Sequence, residues 1–362
     1  MPTGLVLTSP RTFERRHFAM PSIGPDEGLL RIEACGLCGT DHEQYSGDIA
    51  SSYAFIPGHE VVGIVEEIGE GAAARWGVSQ GQRVAVEVFQ SCRECRNCRA
   101  GVYRRCSTNG LATMVGFADA DNGPGLGGGY ATHLYLGPDS MLLDIADSLD
   151  PVTATLFNPV GAGIRWAVEL PQTKPGDVVA ILGPGVRGLS AAAAAKEAGA
   201  GFVMVTGLGE RDAERLALAP AFGADLTVDV SRDDPVRVLR SVVGGKADVV
   251  VDVTAKAPAA LSQAIGLARV GGTVVLAGVR GSTETPGFDP DHIVYKELQI
   301  LGALGVDIGA YRQAIDLLAS GRYPFAELPR RVAGFDDIES LLQIMAGDRR
   351  GIPPIHGVFA PR

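Results

Sequence analysis

No stretch of this 362-residue chain approaches the roughly 20 apolar residues that a membrane-spanning helix needs. The opening MPTGLVLTSP lacks a charged lead followed by an apolar run, which argues against a secretory signal and for a cytoplasmic protein. Positive charge is in deficit: 32 Lys and Arg face 42 Asp and Glu, a formal net charge of −10. Phosphate backbones and anionic lipid would repel such a chain, so neither nucleic acid nor a membrane surface is an expected partner. Internal repeats are absent, and the 48 glycines follow no period, which excludes collagen and implies many tight turns. An apolar content of 46% excludes extended disorder, and the length exceeds what one hydrophobic core usually spans, so two domains are expected.

Cysteine is scarce, and its placement is uneven. Cys35 and Cys38 lie near the start, while Cys92, Cys95, Cys98 and Cys106 cluster with spacings of two, two and seven intervening residues. Disulfides are not expected in a reducing compartment, whereas this spacing suits a closed tetrahedral Zn²⁺ site with four thiolates and no open position. A second constellation pairs Cys38-Gly39-Thr40-Asp41 with Pro57-Gly58-His59-Glu60. A thiolate, an imidazole and a carboxylate suit an open, catalytic zinc, although a lone Cys and a lone His are also ordinary core residues.

Short β-rich runs separated by glycine fill the first part of the chain, among them Leu29–Glu33, Val61–Ile68 and Arg83–Val88, as in an irregular β-barrel. The glycine-rich stretch 123–129 reads as a surface loop. Near Pro175 the rhythm changes. Strands are expected at Val178–Leu182, Phe202–Thr206, Leu226–Asp229, Ala247–Asp252, Gly272–Leu276 and Leu298–Leu301. Helices are expected up to Ala198 and over Ala213–Phe222, Val236–Val243, Ala259–Ala268, Ala310–Ala319 and Asp336–Met345. Alternation of this kind predicts right-handed βαβ units and a parallel six-stranded sheet covered on both faces, an α/β doubly wound Rossmann arrangement.

Gly183-Pro184-Gly185-Val186-Arg187-Gly188 fits GxGxxG between an expected strand and an expected helix. The first glycine permits the turn, the second admits a pyrophosphate, and the third lets helix and strand pack closely. The acidic residue that binds the ribose of NAD is missing: the next strand ends in Gly207, and Arg211 and Arg215 follow, either of which could bind a 2′-phosphate. Loss of that carboxylate together with a nearby arginine favours NADP over NAD, although Glu210 opposes a phosphate there.

In this order and spacing, the glycine motif, the four-cysteine lobe and CGxCGTD followed by GHE resemble the medium-chain zinc alcohol dehydrogenases. The resemblance implies a mainly-β GroES-like catalytic domain over 1–158, carrying the structural zinc lobe at 92–106. A Rossmann domain over 159–303 and a return to the catalytic domain over 304–362 complete the chain, with the active site in the cleft. It implies that Cys38 and His59 bind catalytic zinc, that Glu60 can approach the metal, and that Asp41 orients His59. Thr40 resembles the hydroxyl that takes the proton of the alcohol. Thr254, Gly278 and Val279 fall near the nicotinamide half of the cofactor. The chain departs from the family pattern at three places. Asn158, a weaker ligand than thiolate or carboxylate, stands at the third ligand position. Glu43, with His42 beside it, replaces a relay histidine. Arg187 stands where an apolar side chain usually backs the nicotinamide, and a guanidinium there would disfavour the oxidised ring and favour carbonyl reduction.

The expected activity is hydride transfer between NAD(P) and a small alcohol, ketone or aldehyde, with zinc as Lewis acid, in a homodimer or homotetramer. Two alternatives remain at this stage: a zinc-independent reductase of the same fold that keeps only the structural zinc, and a dinucleotide-binding protein whose chemistry has decayed.

Overall fold

Val178–Leu182 is an uninterrupted apolar run, and four of its five side chains are fully buried, as a central parallel strand requires. A computed structural model of the chain describes residues 1–49, 54–279 and 284–361, which form two compact units. The unit built around this strand comprises Asn158–Ala314 and Arg322–Pro324. Its six-stranded, all-parallel sheet runs in the spatial order Leu226–Asp229, Phe202–Gly207, Val178–Leu182, Ala247–Asp252, Ala268–Leu276, Gln299–Gly302. Chain order reverses between the third and fourth of these strands, the switch point at which doubly wound sheets bind ligands. Helix Val186–Glu197 follows the central strand and buries Ala191 to Ala195, small residues that let it lie close to the sheet.

Element boundaries moved where side chains compete for backbone groups. The helix expected at Ala213–Phe222 begins at Gly209, because the Asp212 carboxylate accepts from Leu208 N at 2.9 Å and caps its first turn. The α-helix ends at Leu218 and tightens into a 3₁₀ turn over Ala219–Phe222, where Pro220 offers no N–H. Residues 304–314 stay with this unit: Gly161 leaves the space into which Tyr311 and Val306 pack.

The other unit comprises Met1–Phe157, Ile315–Gly321 and Phe325–Arg362. Its seven-stranded sheet runs Arg330–Ala333, His356–Phe359, Gly28–Leu37, Glu60–Ile68, Arg83–Val86, Leu142–Asp144, with His133–Leu136 also paired to Gly28–Leu37. All of these pairs are antiparallel except the first. Thr3–Ser9 and Thr12–His17 form a separate hairpin. The core gathers Leu29, Leu30, Ile32, Val61, Val65, Val84, Leu134 and Phe359 from facing strands, with a register shift between Leu29 and Leu30. The expected surface loop at 123–129 is in fact half interior. A Cβ added at Gly128 would meet Ile56 O at 1.8 Å, and one at Gly129 would meet Cys35 Sγ at 2.4 Å, so these glycines let the loop pack behind Cys35. No helix among the described residues is long and apolar enough to cross a membrane.

Candidate active site

The cysteine lobe is pinned by Arg93, whose guanidinium donates to the carbonyls of Ser91, Pro138 and Ser140. Each of Cys92, Cys95, Cys98 and Cys106 offers its sulfur within 4.8 Å of the other three. Cys92 Sγ and Cys98 Sγ are 3.8 Å apart, the edge of a tetrahedron whose bonds are about 2.3 Å long, as in thiolate-bound zinc. Backbone N–H groups turn inward: Cys95 N approaches Cys92 Sγ, Cys98 N approaches Cys95 Sγ and Asn109 N approaches Cys106 Sγ, each at 3.4 Å. N–H donors from Cys98, and then Ser107, bring the Cys95 thiol down to about 5. Burial opposes ionisation of Cys106, yet donors led by Asn109 N bring it to about 7, while burial pushes Cys98 up to about 11. The donor set fits a closed zinc site.

Cys38 ends the strand side of a turn and caps helix Gly39–Ser46. The Asp41 carboxylate reaches back to Cys38 N at 2.8 Å, which completes a capping box and fixes where the sulfur points. Cys38 Sγ lies 3.3 Å from His59 Nε2, close to the span of about 3.5 Å between sulfur and nitrogen on one tetrahedral zinc. An oxygen of Glu60 completes a three-donor set within 4.8 Å. His59 is 6% and Glu60 2% exposed, so both are held in the interior. Two glycines make this possible. Gly58 adopts φ +91°, and a Cβ there would strike Tyr130 and Cys35; a Cβ at Gly36 would lie 2.3 Å from Glu60 Oε2. Gly36 faces Glu60 across the strand pair and leaves room for its carboxylate. Cys35 stands apart from this set: it is fully buried, and its thiol donates to Gly36 O at 3.5 Å. Thr40 is half-buried on the first turn of the helix, and Glu43 lies on the next turn. Beside Glu43, the His42 ring nitrogen is 3.0 Å from Asp348 Oδ2.

The glycine turn of the other unit has the form a dinucleotide needs. Gly183 takes φ +102°, a Cβ on Gly188 would collide with Gly183 O, and nothing lies within 4 Å of a Cβ placed on Gly185. Gly185 therefore presents an open approach to the N-terminus of helix Val186–Glu197, which attracts phosphate. Thr254 donates both N–H and Oγ1–H to Asp252 Oδ1, and a Cβ on Gly278 would meet Thr254 O at 1.7 Å. These two residues and the exposed Val279 thus lie together past the C-terminal ends of adjacent strands.

Residues 24–147 match the family described as alcohol dehydrogenase GroES-like domain, and residues 187–320 match zinc-binding dehydrogenase. A Mycobacterium tuberculosis protein named "Probable alcohol dehydrogenase adh" is 66% identical over 358 residues, 99% of this chain and 98% of its own. Sorbitol dehydrogenase of Bacillus subtilis is 31% identical over 87% of this chain and 85% of its own. Among solved structures, a zinc-binding dehydrogenase of Sinorhizobium meliloti 1021 bound to NADP superposes with a TM-score of 0.84 at 30% identity, covering 100% of this chain and 99% of that one. The chain belongs to the zinc-containing alcohol dehydrogenases. As a member of that family it is an NAD(P)-dependent oxidoreductase acting on CH–OH groups.

Where this alcohol dehydrogenase departs from the family pattern, its side chains have partners of their own. Asn158, 5% exposed, donates from Nδ2 to the Tyr311 hydroxyl at 2.9 Å. The Arg187 guanidinium rests 5.7 Å from the centre of the Trp166 ring, a cation–π contact that holds its charge over the indole. At the ribose end, Gly207 is crowded: an added Cβ would sit 3.0 Å from Asp212 Cβ, Leu216 Cγ and Pro184 Cγ. The missing acid is thus replaced in space by Asp212, whose Oδ1 also takes Arg215 Nη1 at 3.1 Å. Arg211 is exposed on the same helix. Asp229 stands on the far side of the loop, accepting Gly209 N at 2.8 Å. Sequence reasoning missed Gly36, Asp212 and Asp229. Gly36 was legible as the third letter from Cys38 in CGLC, but the two acids act through contacts that only the folded loop creates.

Proposed function

We propose that Cys38, His59 and Glu60 hold the catalytic zinc and that Asn158 is not a ligand. The 3.3 Å approach of Cys38 Sγ to His59 Nε2, with Glu60 beside them, carries this reading. When bound, zinc supplies a Lewis acid for the substrate oxygen, and the nicotinamide exchanges the hydride. Asp41 faces the far nitrogen of His59 at 3.9 Å and would orient the ring once the metal is held; Thr40 hands the substrate proton towards Glu43. A small alcohol, ketone or aldehyde is the substrate class, and the Gly183–Gly188 turn with Arg211 takes NADP or NAD. The protein would work in the cytoplasm, where its six free cysteines persist, as a homodimer or homotetramer. Strand Gln299–Gly302 supports assembly, because among the described residues its outer edge is unpaired.

The test combines metal analysis with turnover. Wild type should hold two zinc per chain and oxidise or reduce members of a panel of small alcohols and carbonyls with NADP or NAD. Cys38→Ser and Glu60→Gln should each retain one zinc and lose at least a hundredfold in kcat/KM, whereas Asn158→Ala should keep both metals. Full activity with one zinc per chain would favour the zinc-independent reductase instead.

A further inference from the structure

Cys38, His59 and Glu60 have a neighbour that no motif marked. The Phe117 ring centre lies 6.5 Å from that of His59, with the planes tilted by 39°. It lies 6.4 Å from the centre of the Phe55 ring, and these two planes are within 4° of parallel. Phe55 is buried and packs with Leu7 and with Tyr45 of helix Gly39–Ser46, the helix that Cys38 caps. An aromatic wall therefore runs from the imidazole of one donor to the helix of another.

The backbone fixes this wall in place. Gly116 takes φ +82°, and a Cβ there would lie 2.8 Å from Gly58 O, so the chain before Phe117 presses on the chain before His59. Gly116 N donates to Gly127 O at 2.8 Å, Gln44 Nε2 donates to Gly116 O at 2.8 Å, and Phe117 N donates to Met114 O at 3.0 Å. Further back, Val115 N donates to Val88 O at 3.0 Å and Gln90 Nε2 to Thr113 O at 2.8 Å. Met114, Val115 and Gly116 are buried, whereas Phe117 is only half-buried. A phenyl group that merely covered His59 would be sealed on both faces, because apolar surface left in water costs stability. This one is held firmly beside the donor set with part of its surface open, which suits it to touch a substrate.

We propose that Phe117, backed by Phe55, sets the substrate preference of the enzyme, and that the preferred substrates are primary alcohols or aldehydes with an aryl group on the reacting carbon. The proposal rests on the reading that Cys38, His59 and Glu60 hold the catalytic zinc, beside which the reacting carbon lies. The substituent on that carbon then meets Phe117, where a ring makes offset or edge contacts that add to its buried area. Neither phenyl group offers a hydrogen-bond partner. A polyol laid on this wall would keep its hydroxyls unpaired and out of water, a heavier penalty than a missing methylene.

Initial rates with benzyl alcohol, ethanol and glycerol, each with the cofactor the enzyme uses, test the preference. In the wild type, kcat/KM for benzyl alcohol should exceed that for ethanol by about 10–150-fold, the gain from burying one apolar group of side-chain size. Glycerol should be the poorest of the three. Phe117→Ala should lower the benzyl-to-ethanol ratio at least tenfold, and Phe117→Tyr, which keeps the ring, should hold it within threefold. Phe288→Ala, which removes an exposed phenyl group elsewhere, should not alter the ratio. Saturation-transfer NMR reads the same contact without turnover: the wild type should saturate the phenyl protons of benzyl alcohol, and Phe117→Ala should lose most of that signal. Binding of benzyl alcohol through Phe117 in protein that holds no metal at Cys38 would remove the zinc reading and support this one. A wild-type preference for ethanol or glycerol overturns the proposal, as does a ratio or an NMR signal that Phe117→Ala leaves within twofold of wild type.

Discussion

His59 Nδ1 and Asp41 Oδ1 face each other at 3.9 Å in the protein interior, and neither atom has a hydrogen-bond partner. The gap is too long for a direct bond, while the opposite ring nitrogen is turned to Cys38. A metal on that nitrogen strengthens the N–H on this one, so the pair is poised to tighten when the site is filled. Asp41→Asn keeps the cap to Cys38 N but removes the charge. It should weaken metal retention or kcat/KM by about 10–100-fold, read by competition with a chelator and by steady-state kinetics. Unchanged metal affinity would make Asp41 a helix cap and nothing more.

The four-cysteine lobe should behave as a closed site. Structural zinc binds with about 10–16 kcal/mol, so dialysed protein should keep at least one equivalent, and the catalytic equivalent should leave first under chelation. Cys95→Ser should lower metal content by one and the melting temperature with it. Folded wild-type protein with less than half an equivalent contradicts the assignment.

Cofactor choice rests on the loop after strand Phe202–Gly207. Arg211→Ala should weaken NADP binding by about 1.5–3 kcal/mol, the range for a charge-assisted hydrogen bond, and leave NAD unchanged. Arg215→Ala, which frees Asp212, should affect both cofactors alike. Gly207→Asp, the change that would restore an acid at the strand end, should impair both, because its Cβ has no room beside Asp212, Leu216 and Pro184. Titration of each variant with both cofactors separates these outcomes.

Acid stability should depend on His356. Its ring is 3% exposed and its Nε2 lies 2.9 Å from Thr155 Oγ1, which itself donates to Val152 O. The hydroxyl therefore accepts from Nε2–H, and Nδ1 is left without a partner. Burial, and then Arg330, bring this histidine down to about 3. In the unfolded chain it titrates near 6.5, so between those values the unfolded state binds the extra proton. Stability is complete above about pH 6.5 and is lost as the pH falls towards 3. Between pH 7 and 5 the loss from this group should be about 2 kcal/mol. Urea unfolding of His356→Gln, whose amide can keep the bond to Thr155, should show a correspondingly flatter pH dependence.

The chain announces its architecture through local signals. Five of the six parallel strands lie within one residue of their expected bounds at each end, because apolar runs of four to six residues between turn signals have few other uses. Cysteine spacing brought four sulfurs together as expected, since intervals of two and seven residues already keep such ligands within reach of one ion. Cys38 and His59 are 21 residues apart, yet CGTD and GHE marked them, the first as a helix start and the second by the left-handed glycine Gly58 before the histidine.

What no local signal carries is the meeting of distant side chains. Glycine-rich residues 123–129 look like a surface loop, but their second half packs on Cys35 and Ile56, because a chain without Cβ atoms can enter where others cannot. Loss of the acid at Gly207 looks like loss of charge, whereas Asp212 and Asp229 return carboxylates to the same loop. The Lys246–Lys296 pair joins residues 50 positions apart at a third element, the end of helix Ala260–Leu267. Strands, turns and metal lobes follow from residues that interact within a few positions, and these the sequence determines by itself. Charge placement around the cofactor loop and at the end of helix Ala260–Leu267 depends on which helix ends and strand ends the sheet order brings together, and that is decided only when the whole unit has packed.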